Sequence, residues 1–148
     1  MIVAFCGHAG YAKNEDDKKK ILRYLEERVG DAYCEFFLGE YGSFDFFAYE
    51  CAKEFKKKHF NSRLMFITPY LSSDYQKKER FDQIVYPNLE NVPLKFAISH
   101  RNRWMIEQAD IVIAYITHTY GGAYATYRYA MQKKKEVFNL GSFEDSDA

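Results

Sequence analysis

Short apolar runs, most of them stopped by glycine or proline, alternate along this chain with longer stretches whose apolar residues recur at helical spacing. That alternation constrains the fold more than any other feature. A strand buried on both faces reads as an unbroken apolar run, and parallel pairing requires a crossover long enough to hold a helix. The strand candidates are 2–6, 34–38, 64–68, 110–116 and 137–140. Helices are predicted over 14–28, 43–58, 99–108 and 123–134. Asn14 is placed to cap the first helix, with Glu15, Asp16 and Asp17 in its first turn and Gly30 beyond its end. The second carries Phe47, Cys51 and Phe55 on one face, and Ser99 is expected to cap the third. Residues 71–94 read as irregular, with a short helix at 75–81. The expected class is therefore α/β: a Rossmann-like, doubly wound, mainly parallel five-stranded sheet with helices on both faces. One domain is expected over 1–142, followed by an acidic tail at 143–148.

The totals narrow the function. A chain of 148 residues can bury a core without disulfides or metals. Lys plus Arg equals Asp plus Glu at 21 each, which argues against nucleic acid as a partner, since a basic excess is expected there. Cys6, Cys34 and Cys51 form no CxxC or Cys/His cluster, so no metal and no cofactor is called for. Cys6 and Cys34 lie in apolar runs and read as core residues of a protein of the reducing cytoplasm. The first residues lack the basic start and long apolar stretch of a signal peptide, and no run is long enough to span a membrane. Thirteen Tyr and thirteen Phe are compatible with an aromatic core, a ligand pocket or a subunit interface.

In an open parallel sheet, ligands bind beyond the carboxyl ends of the strands. Three glycine-bearing loops fall there. The first holds Gly7, His8, Ala9, Gly10 and Tyr11; the second holds Gly39, Glu40, Tyr41, Gly42, Ser43 and Asp45; the third runs from Thr117 through His118, Tyr120, Gly121, Gly122 and Ala123 to Tyr124. Glycine lets backbone amides approach a ligand, and a following helix start adds free N–H groups and the positive end of the dipole, a combination suited to phosphate. Neither GxGxxG nor a P-loop signature occurs. Arg101, Asn102 and Arg103 are placed in the first turn of a helix, where the dipole disfavours arginine unless an anion lies near. Arg101 is the better phosphate candidate, through bidentate hydrogen bonding. His8 and His118 are candidates to donate to phosphate or to act as acid or base, and the loop tyrosines to stack on a base. Trp104 and Met105 read as helix-to-sheet packing, and His59 and His100 carry no signal of their own.

These loops, with the stretch RNRWMIEQADIVIAY at 101–115 and YGGAY at 120–124, resemble the SLOG superfamily, the Rossmann-like group that includes the LOG phosphoribohydrolases and the DprA-type domain. The detail is most similar to the DUF1273/YpsA-like branch. The resemblance implies a small-molecule nucleotide derivative as partner and a homodimer or higher homo-oligomer. It places the arginine of the LOG hydrolases on Arg101. Their catalytic glutamate falls near Arg128, and no carboxylate occurs between Gly121 and Lys135. Glu40, Asp45 or Glu50 would have to replace it for any glycosidic cleavage. The expected function is therefore binding, for sensing or sequestration, of a phosphate-bearing ligand such as an ADP-ribose-type or cyclic nucleotide signal. The alternative is a LOG-like N-glycosidase acting on nucleoside monophosphates.

Overall fold

The computed structural model describes residues 1–71 and 79–143. The elements are β1 (Ile2–Gly7), α1 (Glu15–Arg28), β2 (Cys34–Leu38), α2 (Ser43–Lys58), β3 (Ser62–Ile67), β4 (Gln83–Val85), α3 (Ala97–Gln108), β5 (Ile111–Tyr115), α4 (Gly122–Gln132) and β6 (Glu136–Asn139). All pairings are parallel, in the order β4-β3-β2-β1-β5-β6. The chain winds outward from β1 to β4, crosses back over the sheet, and winds outward again through β5 and β6. This is the doubly wound class the sequence pattern predicts, with one more strand. The addition is β4, three residues that pair with Met65, Phe66 and Ile67. Its brevity explains why no period-two pattern announced it. The expected helix at 75–81 lies mostly outside the described residues.

Alternating strand residues feed two cores. Val3 and Phe5, Cys34, Phe36 and Leu38, Leu64 and Phe66, and Ile111 and Ile113 point toward α1 and α2. Ala4 and Cys6, Phe37, Met65 and Ile67, and Val112 and Ala114 point toward α3 and α4. Phe47, Cys51 and Phe55 of α2 are buried on the first face, and Trp104 stacks on Phe37 at 5.6 Å on the second. All three cysteines are buried free thiols. Among the described residues no helix is long and apolar enough to cross a membrane.

Helix ends follow local chemistry. Asn14 caps α1 by accepting the Asp17 amide at 2.8 Å. Ser99 does not cap α3. A 3₁₀ turn over Leu94–Phe96 begins after Pro93 and runs straight into the helix, which starts at Ala97. Arg101 is thereby the fifth helical residue rather than a first-turn residue, and the dipole argument for it falls away. Lys134, at φ 57°, adopts the left-handed conformation just beyond α4.

His59 closes α2. It is 9% exposed, stacks on Phe55 at 4.2 Å, and lies between two carboxylates, Glu26 at 2.7 Å and Asp31 at 2.6 Å. The hydrogen bond to Glu26, with that to Asp31 adding to it, raises its pKa above 6.5 against the opposing effect of burial. A base whose folded pKa is raised contributes stability that is complete below its unfolded pKa and is lost as pH rises through the folded one. Chemical denaturation at pH 5.5 and at pH 9 is expected to show a smaller stability difference in His59→Gln than in the unmodified protein, with the loss concentrated on the acid side. An equal pH dependence in both proteins would remove the imidazolium from this role.

Candidate functional site

Winding reverses at β1, so the connections leaving β1 and β5 depart to opposite faces and leave a crevice between them. The three glycine-bearing loops meet there and are tied together. His8 donates its amide to the Tyr115 carbonyl at 3.3 Å, and its Nε2 accepts the Thr117 amide at 3.0 Å. Ser43 donates its amide to the Ala9 carbonyl at 3.1 Å, and its Oγ lies 2.7 Å from that oxygen and 2.6 Å from the Tyr11 carbonyl. Gly42 allows this approach: its φ is 108°, and a Cβ there would lie 2.7 Å from Ala9 Cα.

The result is a cleft of about 420 Å³. Its walls include Gly7, His8, Ala9 and Gly10 from the first loop, and Gly39, Tyr41 and Asp45 from the second. Arg101 and Asn102 come from α3, and His118, Tyr120, Gly121, Gly122 and Ala123 from the third loop and the start of α4. Several expected residues do not line it. Tyr11 is buried in the first core, packed on Phe44, Phe47 and Tyr115, with its hydroxyl donated to Asp17 at 2.7 Å. Gly42 and Ser43 hold the loops together from behind. Glu40 pairs with Arg80, and Tyr124 packs against Tyr127 and Phe143. Glu50 pairs with Lys13 on the surface at 2.9 Å. Sequence reasoning missed Ile98, Met105 and Thr126, which line the cleft from the helices. Their helical spacing gave no sign that they face a ligand space rather than the sheet.

Arg101 is 3% exposed. It reaches inward, donating Nη1 to the Ile67 carbonyl at 2.9 Å and Nε to Asn102 Oδ1 at 2.9 Å. Gly39 makes room for it, since a Cβ there would lie 2.8 Å from Nη1 and 3.0 Å from Asp45 Oδ2. Asp45 accepts the Tyr41 amide at 2.8 Å. Burial raises the Asp45 pKa, against the Tyr41 amide and the Arg101 charge, which lower it. Burial lowers the Arg101 pKa, with Asp45 opposing. Burial, with Asp45 adding, pushes the neighbouring Cys6 thiol up to about 12, so it stays protonated and unreactive.

His8 and His118 stack at 3.5 Å, nearly parallel, and His118 stacks in turn on Tyr120 at 3.9 Å. Burial and the adjacent His118 lower the His8 pKa. With its Nε2 accepting a backbone N–H, neutral His8 carries its proton on Nδ1. His118 Nδ1 is buried and has no hydrogen-bond partner among the described residues. Tyr120, 70% exposed, ends the stack at the mouth.

No protein-family model and no curated protein matches the sequence. Solved structures do match the fold. DNA processing protein A from Helicobacter pylori, described for its single-stranded DNA binding mode, is similar over 94% of this chain and 64% of its own, at 18% identity and a TM-score of 0.63. DNA processing protein A from Streptococcus pneumoniae gives the same identity and TM-score over 93% of this chain and 49% of its own. A structure designated TM1055 is similar over 92% of this chain and 71% of its own, at 13% identity and a TM-score of 0.56. The chain thus spans roughly half to two-thirds of the DNA processing proteins it resembles. The shared architecture is a Rossmann-like α/β fold with a parallel sheet. The likeness to a DNA-binding protein runs against the expectation that nucleic acid is not a partner. That expectation counted charge over the whole chain, and a zero sum says nothing of how charge is distributed.

The buried geometry changes what Arg101→Ala should do. The sequence alone suggests an effect on ligand more than on stability. The hydrogen bond to Ile67 instead ties α3 to the end of β3, and its loss leaves a buried carbonyl unpaired. Arg101→Ala is expected to cost about 1–3 kcal/mol, seen as a fall of several degrees in Tm; an unchanged melting curve would show that the tie is not made.

Proposed function

We propose that this cleft binds a phosphate-bearing, nucleotide-derived ligand for sensing or sequestration, of the ADP-ribose or cyclic nucleotide kind. The observation that carries the reading is the buried Arg101 guanidinium lining a cleft that is also formed by the start of α4. Both favour an anion, the first by charge-assisted hydrogen bonds and the second by free amides and the helix dipole. A Cβ at Gly122 would meet nothing within 4 Å, so the backbone there is open to a ligand. The His8–His118–Tyr120 stack supplies flat π surfaces beside the phosphate site, which suits a base. Placement within the YpsA-like branch rests on the sequence resemblance.

A second reading has one observation in its favour. Asp45 is the carboxylate that lines the cleft, and its pKa is raised. A carboxyl group whose pKa burial raises is better suited than an ordinary carboxylate to protonate a departing base while water attacks the sugar carbon. This is the N-glycosidase alternative, with Asp45 in place of the glutamate missing from α4.

Thermal-shift titration with AMP, ADP-ribose and cyclic dinucleotides, followed by mass spectrometry of each mixture, separates the readings. A ligand at 100 times its Kd stabilises by about 2.7 kcal/mol. Gly122→Val is expected to abolish the shift while leaving the unliganded Tm within a few degrees. A normal shift in Gly122→Val would move the site elsewhere. Asp45→Asn is expected to keep the shift. Recovery of intact ligand supports sensing or sequestration, whereas free base and ribose phosphate, lost in Asp45→Asn, would establish the hydrolase.

A further inference from the structure

The cleft adjoins a second groove of about 500 Å³ between α3 and α4. Ile98 and Asn102 on one helix, and Gly122 and Thr126 on the other, line both spaces. Each pair is four residues apart and so lies on one helix face. Gly122 is the low point of this shared wall, because nothing stands within 4 Å of where its Cβ would be. At Gly122, therefore, no side chain of that residue separates the cleft from the groove.

The chemistry of the groove is one-sided. Lys95, Arg103 and Arg128 line it, and among the described residues no Asp or Glu does. In a chain with equal numbers of acids and bases, such segregation makes a local cationic surface. Arg103 lies over the Tyr129 ring at 5.8 Å and Lys95 over Phe96 at 5.1 Å. These cations rest on aromatic faces, which orient them, and the Tyr129 hydroxyl under Arg103 donates to Glu107 at 2.5 Å.

We propose that this groove takes a second phosphate of the same ligand, so that the protein recognises a dinucleotide, with two phosphates separated by a sugar, in preference to a nucleoside monophosphate. The inference rests on the reading of the cleft as a nucleotide site. It divides the work: Arg101 and the start of α4 hold one phosphate, and Lys95 and Arg103 hold the other. Asn102, anchored to Arg101, stands at the boundary.

Calorimetric titrations of AMP, the linear dinucleotide pApA and a ten-residue oligothymidylate test it, at two salt concentrations, on the unmodified protein and on Lys95→Ala/Arg103→Ala. Both substituted residues are exposed, so the variant is expected to fold. The unmodified protein should bind pApA at least tenfold more tightly than AMP. The double variant should lose that gain, together with most of its extra salt dependence, and bind AMP as before. Equal affinity for AMP and pApA, or a variant that keeps the difference, would overturn the second phosphate site while leaving the cleft reading intact. Binding of none of the three would remove the cleft reading itself and this inference with it. Tighter binding of the oligothymidylate than of pApA, with a steeper salt dependence, would replace the dinucleotide with a polymer.

Discussion

Everything at the carboxyl edge of this sheet depends on how the two windings are joined at β1. Reversal opens a crevice by topology alone, yet an opening between loops has no fixed shape. Here the loop after β1 acts as a clasp. His8 holds the loop after β5 through its ring nitrogen, and Ser43 at the start of α2 holds the Ala9 carbonyl from the other side. Apart from His8, which also lines the space, the residues that do this fastening differ from those that face it. Tyr11, Gly42 and Ser43 maintain the loops, and the cleft is left to smaller or flatter groups and to one deep cation.

The same division runs through the electrostatics. Exposed and half-buried charges pair near the surface: Arg28 with Glu136, Lys56 with Asp82, Lys18 with Glu54. Such pairs contribute little each, because water already solvates both partners. Inside the cleft the balance differs. Asp45 and Arg101 are brought near each other around Gly39, and each is perturbed chiefly by burial. Groups held in this way are costly to the fold and are characteristic of sites rather than scaffolds.

Much of the architecture was legible because strand and helix periods differ and because both faces of the sheet are covered. The runs at 34–38 and 110–116 could hardly be anything but buried strands. What escaped was short or non-local. β4 has three residues and owes its existence to the edge that β3 offers. The start of α3 was misplaced because Pro93 launches a 3₁₀ turn that continues into the helix, a continuity that the capping potential of Ser99 obscures. At the site, loop membership proved a good guide to proximity and a poor guide to direction. Tyr11 and Tyr120 sit in similar glycine-bearing loops, and one is buried while the other stands in solvent. Nothing local to either sequence tells them apart, since the difference comes from Asp17 and Phe44, which the fold brings to Tyr11 alone.

The depth of Arg101 has a consequence for timing. An arginine in solvent must shed its hydration shell each time it meets an anion, and part of the attraction is spent in doing so. Here the shell is removed once, when the chain folds, and two of the guanidinium nitrogens are already committed to Ile67 and Asn102. The cation arrives at any encounter dehydrated and aligned. An incoming anion is left with only its own water to lose, and the orientation that makes the contact selective exists before the partner does.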